Sequence, residues 1–170
     1  MSRVFLLVVV IVATAGAALA YGDPKQISKA GNLVTEILRK QSPPPLRLVD
    51  VPRGNTGEFG LQVKINGVQT AMVIDTGATS VVLTFETARA IGLPLELLDY
   101  NVDVETAGGH TRAARLTLDR LAVGKLVERS VPALVVPRGQ MKTNLLGMSF
   151  LDRLESWEVR ADRLMLRGYP

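Results

Sequence analysis

The sequence predicts an all-β fold: a barrel with one or two short helices, preceded by an N-terminal apolar helix and a linker. Three observations lead to this prediction. Apolar residues alternate with polar ones in short runs through residues 57–170. Turn-forming residues separate these runs, and only two short stretches of the region show helical spacing. Hydrophobic residues make up 47% of the chain and charged residues 21%, which is typical of a globular domain with its own core.

The composition excludes several classes of site. The 170 residues include no cysteine and one histidine, His110. Disulfides, cysteine nucleophiles, cysteine zinc sites and multi-histidine metal centres are therefore excluded. Any serine–histidine–aspartate triad would have to use His110. The net charge of +4 comes from basic residues that are scattered along the chain, so no nucleic-acid partner is expected.

The first twenty residues form an apolar segment that we do not expect to belong to the folded domain. Residues 4–20 carry no charge, follow Arg3 and end in Ala18-Leu19-Ala20. A short apolar core followed by an A-x-A sequence is typical of a cleavable signal peptide. A run of about 17 apolar residues is also just long enough for a transmembrane anchor. The segment 1–20 is therefore a signal peptide or an anchor, and either one predicts export of the remaining chain.

Residues 21–56 are predicted to form an amphipathic helix and a proline-rich linker. Asp23-Pro24 is typical of a helix start, and apolar residues then recur at helical spacing as far as Leu38. The sequence Ser42-Pro43-Pro44-Pro45 favours a stiff, extended connection, and further proline and glycine residues follow it. We therefore place the start of the folded domain at residue 57.

The folded domain, residues 57–170, is predicted to consist mainly of hairpins. Asn66-Gly67 lies between two alternating runs and is a strong signal for a two-residue turn. Thr84 is a suitable N-cap for a short helix that ends at Gly92. Trp157 lies on an alternating strand and is expected in the core. Strands are expected at 59–65, 68–74, 80–83, 102–106, 111–118, 121–123, 131–136, 157–159 and 164–166, and helices at about 84–91 and 149–154.

Asp75 gives the clearest chemical signal in the chain. It follows the apolar run Met72-Val73-Ile74 and begins the small-residue turn Asp75-Thr76-Gly77-Ala78. A charge beside a buried strand is costly unless it is paired or hydrogen-bonded. One explanation is purely structural: Asp75 would accept hydrogen bonds from the amides of the turn. The apolar run before it and the later Leu145-Leu146-Gly147 favour a catalytic carboxylate instead.

Two motifs carry a resemblance to a known family. Residues 74–79, Ile-Asp-Thr-Gly-Ala-Thr, and residues 144–147, Asn-Leu-Leu-Gly, stand in the order found in retropepsin-like aspartic proteases. Over about residues 57–167 the chain resembles the bacterial, membrane-associated, single-domain kind. The resemblance implies a retropepsin-like closed β-barrel subunit and an aspartic-type endopeptidase activity. With segment 1–20, we expect the protein in the cell envelope, on the periplasmic side of the inner membrane if the chain is anchored and in the periplasm if the signal is cleaved.

The resemblance further implies that two subunits share one active site. Such an enzyme needs two carboxylates, one that takes a proton from water and one that polarises the scissile carbonyl. The chain has one Asp-Thr-Gly, and residues 57–170 are about half the size of a two-lobed aspartic protease. We therefore expect a homodimer in which each subunit supplies Asp75 to a polypeptide substrate. Water is the nucleophile, so no metal or organic cofactor is expected, and the membrane is a further partner if segment 1–20 is retained.

The four residues after Asp75 are expected to support it. In the family, the residue at the position of Thr76 hydrogen-bonds the loop of the partner subunit, and the Thr76 hydroxyl can do the same. Gly77 leaves room for water and substrate and can offer its amide to Asp75, and Ala78 is small for the same reason. Thr79 stands where viral members have an acid, and the bacterial members are more similar to this sequence at that position.

Two further groups of residues are assigned by the same resemblance. Leu145 and Leu146 are expected to pack under the catalytic loop, and Gly147 is expected to let the following helix start close to the sheet. Gly108 and Gly109 lie where the family carries the flap that covers the substrate. A simple exposed hairpin turn is the alternative interpretation of these two glycines.

Two non-enzymatic functions stay open at the level of the sequence. A dimeric peptide-binding or scaffolding module of the same fold in the cell envelope would bind without turnover and would tolerate Asp75→Ala. A ligand-binding barrel would enclose a large apolar cavity with no converging carboxylates. The intact Asp-Thr-Gly motif favours the protease, because a binding module has no physical need of it.

Overall fold

The computed structural model describes residues 47–106 and 109–170. The predicted signal or anchor segment 1–20, the predicted amphipathic helix and the proline stretch after it lie outside the described residues, as does Gly108. Among the described residues, no helix is long and apolar enough to span a membrane.

The described residues are mostly β-structure, as the alternating apolar pattern predicts. The ten strands are β1 (Arg47–Pro52), β2 (Gly60–Ile65), β3 (Val68–Ile74), β4 (Val81–Leu83), β5 (Val102–Thr106), β6 (Gly109–Val123), β7 (Leu126–Val135), β8 (Leu145–Leu146), β9 (Ser156–Val159) and β10 (Arg163–Gly168). The helices of this part of the chain are α1 (Phe85–Ala90), a 3-10 turn (Leu95–Leu97) and α2 (Met148–Leu151). Thr84 caps α1 as predicted, because its side chain accepts a hydrogen bond from the Thr87 amide at 3.1 Å.

Six strands close into a barrel in the order β2-β3-β8-β4-β7-β6, and β6 pairs back with β2. At this seam Lys64 lies opposite Ala122. Asn66 adds two hydrogen bonds to the seam: its Oδ1 accepts from the Arg120 amide at 3.0 Å, and its own amide donates to the Arg120 carbonyl at 2.9 Å. Asn66 and Gly67 have φ values of 49° and 94°, as a two-residue hairpin turn requires. The predicted closed all-β barrel is confirmed.

The short strand β8 lies between β3 and β4, an arrangement that the sequence analysis did not predict. It runs parallel to β3, with Val73 opposite Leu145, and antiparallel to β4. The residue before β8, Asn144, is 7% exposed, and its side chain forms hydrogen bonds with segments on both sides of this strand. Its Oδ1 accepts from the Thr84 amide and its Nδ2 donates to the Ala71 carbonyl, each at 2.9 Å. Asn144 therefore fixes β8 relative to β3 and to the start of α1.

The folded domain begins earlier than residue 57, where the sequence analysis placed it. Strand β1 pairs along its whole length with β10, from Arg47 opposite Gly168 to Pro52 opposite Arg163. Strand β10 also pairs with β9, so β1, β10 and β9 form a second, three-stranded sheet. Pro52 and Gly54, which the sequence analysis assigned to the linker, instead lie at the end of β1 and in the turn that follows it.

One hydrophobic core includes residues of both the barrel and the second sheet. The largest cluster of buried side chains combines barrel residues such as Ile65 and Leu118 with Leu164 and Leu166 of β10. Phe150 of α2 is fully buried in the same cluster. Burial of such a side chain contributes about 1.5–3 kcal/mol, so α2 is firmly attached to the barrel. Trp157 does not join this core: it is 36% exposed, and the prediction that it is a core residue is wrong.

Replacing the buried amide of Asn144 tests its role in fixing β8. We expect Asn144→Ala to lower the free energy of unfolding by about 1–3 kcal/mol, because the Thr84 amide and the Ala71 carbonyl lose their partners. Urea denaturation followed by circular dichroism measures this change. Asn55→Ala, at an exposed turn position, is the control and should stay within about 0.5 kcal/mol. Equal effects of the two substitutions would contradict this role.

Candidate active site

Asp75 lies directly after β3, at the start of a turn that leads to β4. Its amide donates to the Leu146 carbonyl at 3.2 Å, so the residue is fixed by the neighbouring strand β8. Its Oδ1 accepts a hydrogen bond from the Gly77 amide at 2.8 Å. The Ala78 amide donates instead to the main-chain oxygen of Asp75, at 3.3 Å. The carboxylate is thus held by one amide and is partly accessible to solvent.

The loop around Asp75 is held by the start of α2. The Met148 amide donates to the Ala78 carbonyl at 2.8 Å, and the Ser149 amide donates to the Thr79 carbonyl at 3.1 Å. The Ser149 hydroxyl accepts from the Val81 amide at 2.9 Å and donates to the Pro132 carbonyl at 2.7 Å. These bonds join the loop, α2 and β7 into one unit.

Gly147 occupies a position where a side chain does not fit. It is buried, and a Cβ placed on it would lie 2.5 Å from the Ala78 carbonyl oxygen and still closer to that of Ser80. Other residue types also adopt its φ of −94°. Glycine is therefore required because a side chain would clash here, and not because of the backbone conformation. The sequence analysis expected Gly147 to let the helix approach the sheet. The backbone that it approaches most closely is that of the loop after Asp75, residues 75–80.

The two leucines before Gly147 lie beside the end of β3. Leu146 is fully buried opposite Ile74, and its carbonyl accepts from Asp75. Leu145 is half-buried and lines a cleft in front of Asp75. One leucine therefore supports the loop from the core, while the other contributes to the surface in front of the carboxylate.

A cleft of about 630 Å³ opens in front of Asp75. One wall is the loop after Asp75, including Gly77, Ala78 and Thr79, and another is β5. Thr76 is exposed and does not line this cleft. The floor and the remaining wall are formed mainly by aliphatic and polar side chains: Val82, Ala113, Leu134, Val136, Gln140, Met141, Lys142, Thr143 and Leu145.

The β5–β6 hairpin forms the wall of the cleft at which the sequence analysis placed the flap. Asp103, Val104 and Glu105 of β5 line the cleft. Gly109 opens β6 opposite Thr106 with a φ of 107°, a conformation that favours glycine. The hairpin therefore lies beside the site, whereas its tip at Gly108 is outside the described residues.

Several residues of the site were given no role by the sequence analysis, although Asn144 is the first residue of its Asn-Leu-Leu-Gly motif. Asn144 and Ser149 carry side-chain hydrogen bonds that connect distant strands, and both lie next to the Leu-Leu-Gly motif. Their proximity to that motif was the available signal. Arg138 lies over the ring of Phe85, 4.8 Å from its centroid, and ties the loop before β8 to α1. Only the folded chain brings that loop to the cleft.

The fit of Gly147 against the loop after Asp75 can be tested by adding one methyl group. We expect Gly147→Ala to lower the free energy of unfolding by about 1–3 kcal/mol, because the loop must move away from the added Cβ. The amide NMR signals of residues 76–80 should shift. Gly60→Ala is the control, because a Cβ there meets nothing within 4 Å. Unchanged stability and an unchanged loop spectrum would contradict the proposed fit.

Comparison with known proteins places the two motifs in one family. The family described as gag-polyprotein putative aspartyl protease matches residues 61–153. An uncharacterized Sinorhizobium protein from the cobV 5′ region is 39% identical over 111 residues, covering 65% of this chain and 48% of that protein. An uncharacterized Rickettsia prowazekii protein is 31% identical over 116 residues, covering 68% and 49%. The chain thus spans about half the length of the curated relatives it matches.

A solved structure agrees with this family match. It is a retropepsin-like aspartic protease from Rickettsia conorii, with 30% identity and a TM-score of 0.66. The similarity covers 72% of this chain and 92% of that one. The family match includes both the Asp-Thr-Gly loop and the Leu-Leu-Gly motif that lies beside it. The chain belongs to the retropepsin-like aspartic proteases.

Proposed function

We propose that this protein is an aspartic endopeptidase that works as a homodimer, with one Asp75 from each subunit at a shared cleft. The observation that carries the proposal is the position of Asp75, which lies in the wall of an open cleft with one oxygen held by the Gly77 amide. Membership of the aspartic protease family supports peptide-bond hydrolysis as the reaction.

The proposed reaction uses two carboxylates in different protonation states. Two such groups about 3 Å apart cannot both be ionised, so the pair holds one proton. The ionised carboxylate takes a proton from a water molecule, which then attacks the scissile carbonyl carbon. The protonated carboxylate donates a hydrogen bond to the carbonyl oxygen and helps to protonate the departing amine. The Gly77 amide orients the Asp75 carboxylate for this exchange.

The second carboxylate is proposed to come from another subunit, because the other acids of this cleft stand outside an Asp-Thr-Gly turn. Asp103 and Glu105 lie on β5. Asp103 forms an ion pair with Arg112 at 3.3 Å, and Glu105 lies 3.9 Å from Nε2 of His110. Neither acid begins an Asp-Thr-Gly turn, so neither offers the local amide that holds Asp75.

The proposed substrate is a polypeptide in an extended conformation. Strand β5 lies at the end of its sheet, and such edge strands can pair with an extended peptide. The aliphatic side chains of Val82, Leu134 and Val136 in the cleft suit an apolar side chain of that peptide. No cofactor enters the proposed reaction, since water is the nucleophile.

The proposed place of action is the cell envelope. This proposal rests on the uncharged apolar segment 4–20 and the A-x-A sequence that ends it. Retention of the segment would anchor the protease to the membrane, and its cleavage would release the protease into the periplasm.

The proposed reaction depends on the carboxylate of Asp75. We expect Asp75→Asn to lower the rate of peptide cleavage by at least about 10²-fold, because the amide cannot take a proton from water. Mass spectrometry of a mixed-peptide library incubated with the full-length chain measures cleavage. Asp119→Asn, at an exposed position on β6 away from the cleft, should cleave like the wild type.

The same screen tests the alternative of a non-catalytic peptide-binding or scaffolding module. Peptide binding by the wild-type chain without cleavage, and with the same affinity in Asp75→Asn, would support that alternative. Cleavage by Asp75→Asn at the wild-type rate would contradict the proposed role of Asp75.

A further inference from the structure

The turn between β2 and β3 marks an end of the barrel that lies away from Asp75. Strand β3 begins beside this turn at Val68 and leads into Asp75, and its seven residues span about 20 Å. The turn between β6 and β7 lies at the same end, because Lys64 of β2 is opposite Ala122 of β6. We call this region the far end of the barrel: residues 47–49, 64–69, 119–129 and 166–169.

The first described residue of the chain also lies at the far end. The Arg47 guanidinium donates two hydrogen bonds to the Lys125 carbonyl, in the turn between β6 and β7, at 3.2 Å and 3.3 Å. A Cβ placed on Gly124 of that turn would lie 3.1 Å from the side chain of Val49 of β1. Segment 4–20, on which the proposed export rests, therefore joins the barrel at the end away from the cleft.

The far end carries an excess of positive charge. Its charged side chains are two acids, Asp119 and Glu128, and six cations: Arg47, Lys64, Arg120, Lys125, Arg129 and Arg167. The charged side chains that line the cleft are three acids and one lysine: Asp75, Asp103, Glu105 and Lys142. An anionic surface would therefore attract the far end and repel the cleft.

Two of these cations line a groove on the outside of the barrel. The groove has a volume of about 390 Å³, and its polar lining side chains are Gln62, Lys64, Gln69 and Arg120. Arg120 lies opposite Arg129 of β7, and like charges at opposite positions repel each other. The ion pairs formed within the described part of the chain involve other side chains. The charges of Lys64 and Arg120 are thus available to an anion from outside the chain.

Exposed apolar side chains accompany the cations of the far end. Val68, next to the β2–β3 turn, is 41% exposed. Tyr169, whose carbonyl accepts a hydrogen bond from Arg47, is 58% exposed. Tyrosine is typical of membrane interfaces because its ring is apolar and its hydroxyl is polar. Basic and apolar side chains on one surface fit lipid headgroups better than they fit a soluble acidic polymer.

We propose that the far end of the barrel docks on a membrane surface containing anionic phospholipids, with a lipid phosphate in the groove between Lys64 and Arg120. This docking rests on the proposed place of action, since segment 4–20 brings the chain to a membrane, but it does not involve Asp75. Residues 21–46 reach up to about 90 Å when extended, so tethering alone leaves the orientation of the barrel open. The charge of the far end selects one orientation.

Docking through the far end directs the cleft away from the lipid. Asp75 then lies about 20 Å or more from the headgroups, because β3 separates it from the docked turn. The accessible substrates are polypeptide segments that extend beyond the membrane surface. A two-fold axis along the membrane normal keeps the far ends of both subunits of a homodimer on the same surface.

Single cysteines report which end approaches the lipid, because the chain has none of its own. A fluorophore is attached to the full-length chain at Leu48→Cys, exposed at the far end, or at Gln140→Cys, in the cleft. The chain is reconstituted with vesicles of phosphatidylglycerol or of phosphatidylcholine that carry a headgroup-linked acceptor. We expect energy transfer from Leu48→Cys to be at least about twofold higher on phosphatidylglycerol, and high salt to remove this difference. Equal transfer from the two positions on phosphatidylglycerol would overturn the proposal.

A matched pair of double substitutions tests the role of charge. Lys64→Glu combined with Lys125→Glu reverses two exposed cations of the far end. Arg89→Glu combined with Arg115→Glu makes the same change in net charge at exposed positions outside it. On phosphatidylglycerol, we expect the first pair to lower the ratio of docked to undocked chain at least about tenfold, and the control pair to change it less than about twofold. Equal effects of the two pairs would overturn the proposal.

Two further outcomes separate this docking from other partners and from the proposed reaction. Binding of soluble polyglutamate without a response to phosphatidylglycerol would assign the far end to an acidic polypeptide and overturn the proposal. Peptide cleavage is measured on the same samples. Docking without cleavage by the wild-type chain would support the proposal and contradict the protease, whereas cleavage without docking would overturn the proposal and leave the protease standing.

Discussion

The close approach of Gly147 to the carbonyls of Ala78 and Ser80 is the contact on which the candidate site depends. It lets the Met148 amide reach the Ala78 carbonyl in the loop after Asp75, and it keeps the Leu146 carbonyl on the Asp75 amide. Because Phe150 of α2 is buried in the core, the Asp75 loop that is hydrogen-bonded to α2 is held rigidly against the barrel. A carboxylate on such a loop is held in one orientation, as preorganised chemistry requires.

Local patterns predicted the parts of the fold that local interactions determine. Asn66-Gly67 adopts the turn that its φ values require, and Thr84 caps α1 through the Thr87 amide. These local patterns could not predict which distant segments of the chain pair as strands. The two-residue strand β8 is too short for a periodic signal, and β1 is recognisable as a strand only through its partner β10. Trp157 matched a core pattern, but on the edge strand β9 it is 36% exposed.

Residues of the candidate site could be predicted from the sequence where they stand together in one motif. Residues that only the folded chain brings to the site could not. Asp75 and its turn stand together in the sequence, and the Gly77 amide reaches the carboxylate from two residues away. The aliphatic side chains of the cleft come from β4, β6 and β7 and from the loop before β8. Asn144 acts through partners 60 and 73 residues away, so its role follows from topology alone.

One subunit of this protein supplies half of the proposed chemistry, so the decisive question is whether activity belongs to a pair of chains. Wild-type chain is mixed with inactive Asp75→Asn chain at constant total concentration, with time for subunit exchange, and peptide cleavage is measured. For a shared site, an equal mixture retains about one quarter of the wild-type rate, because only pairs of wild-type subunits are active. A rate of about one half, the value for independent sites, would contradict the shared site.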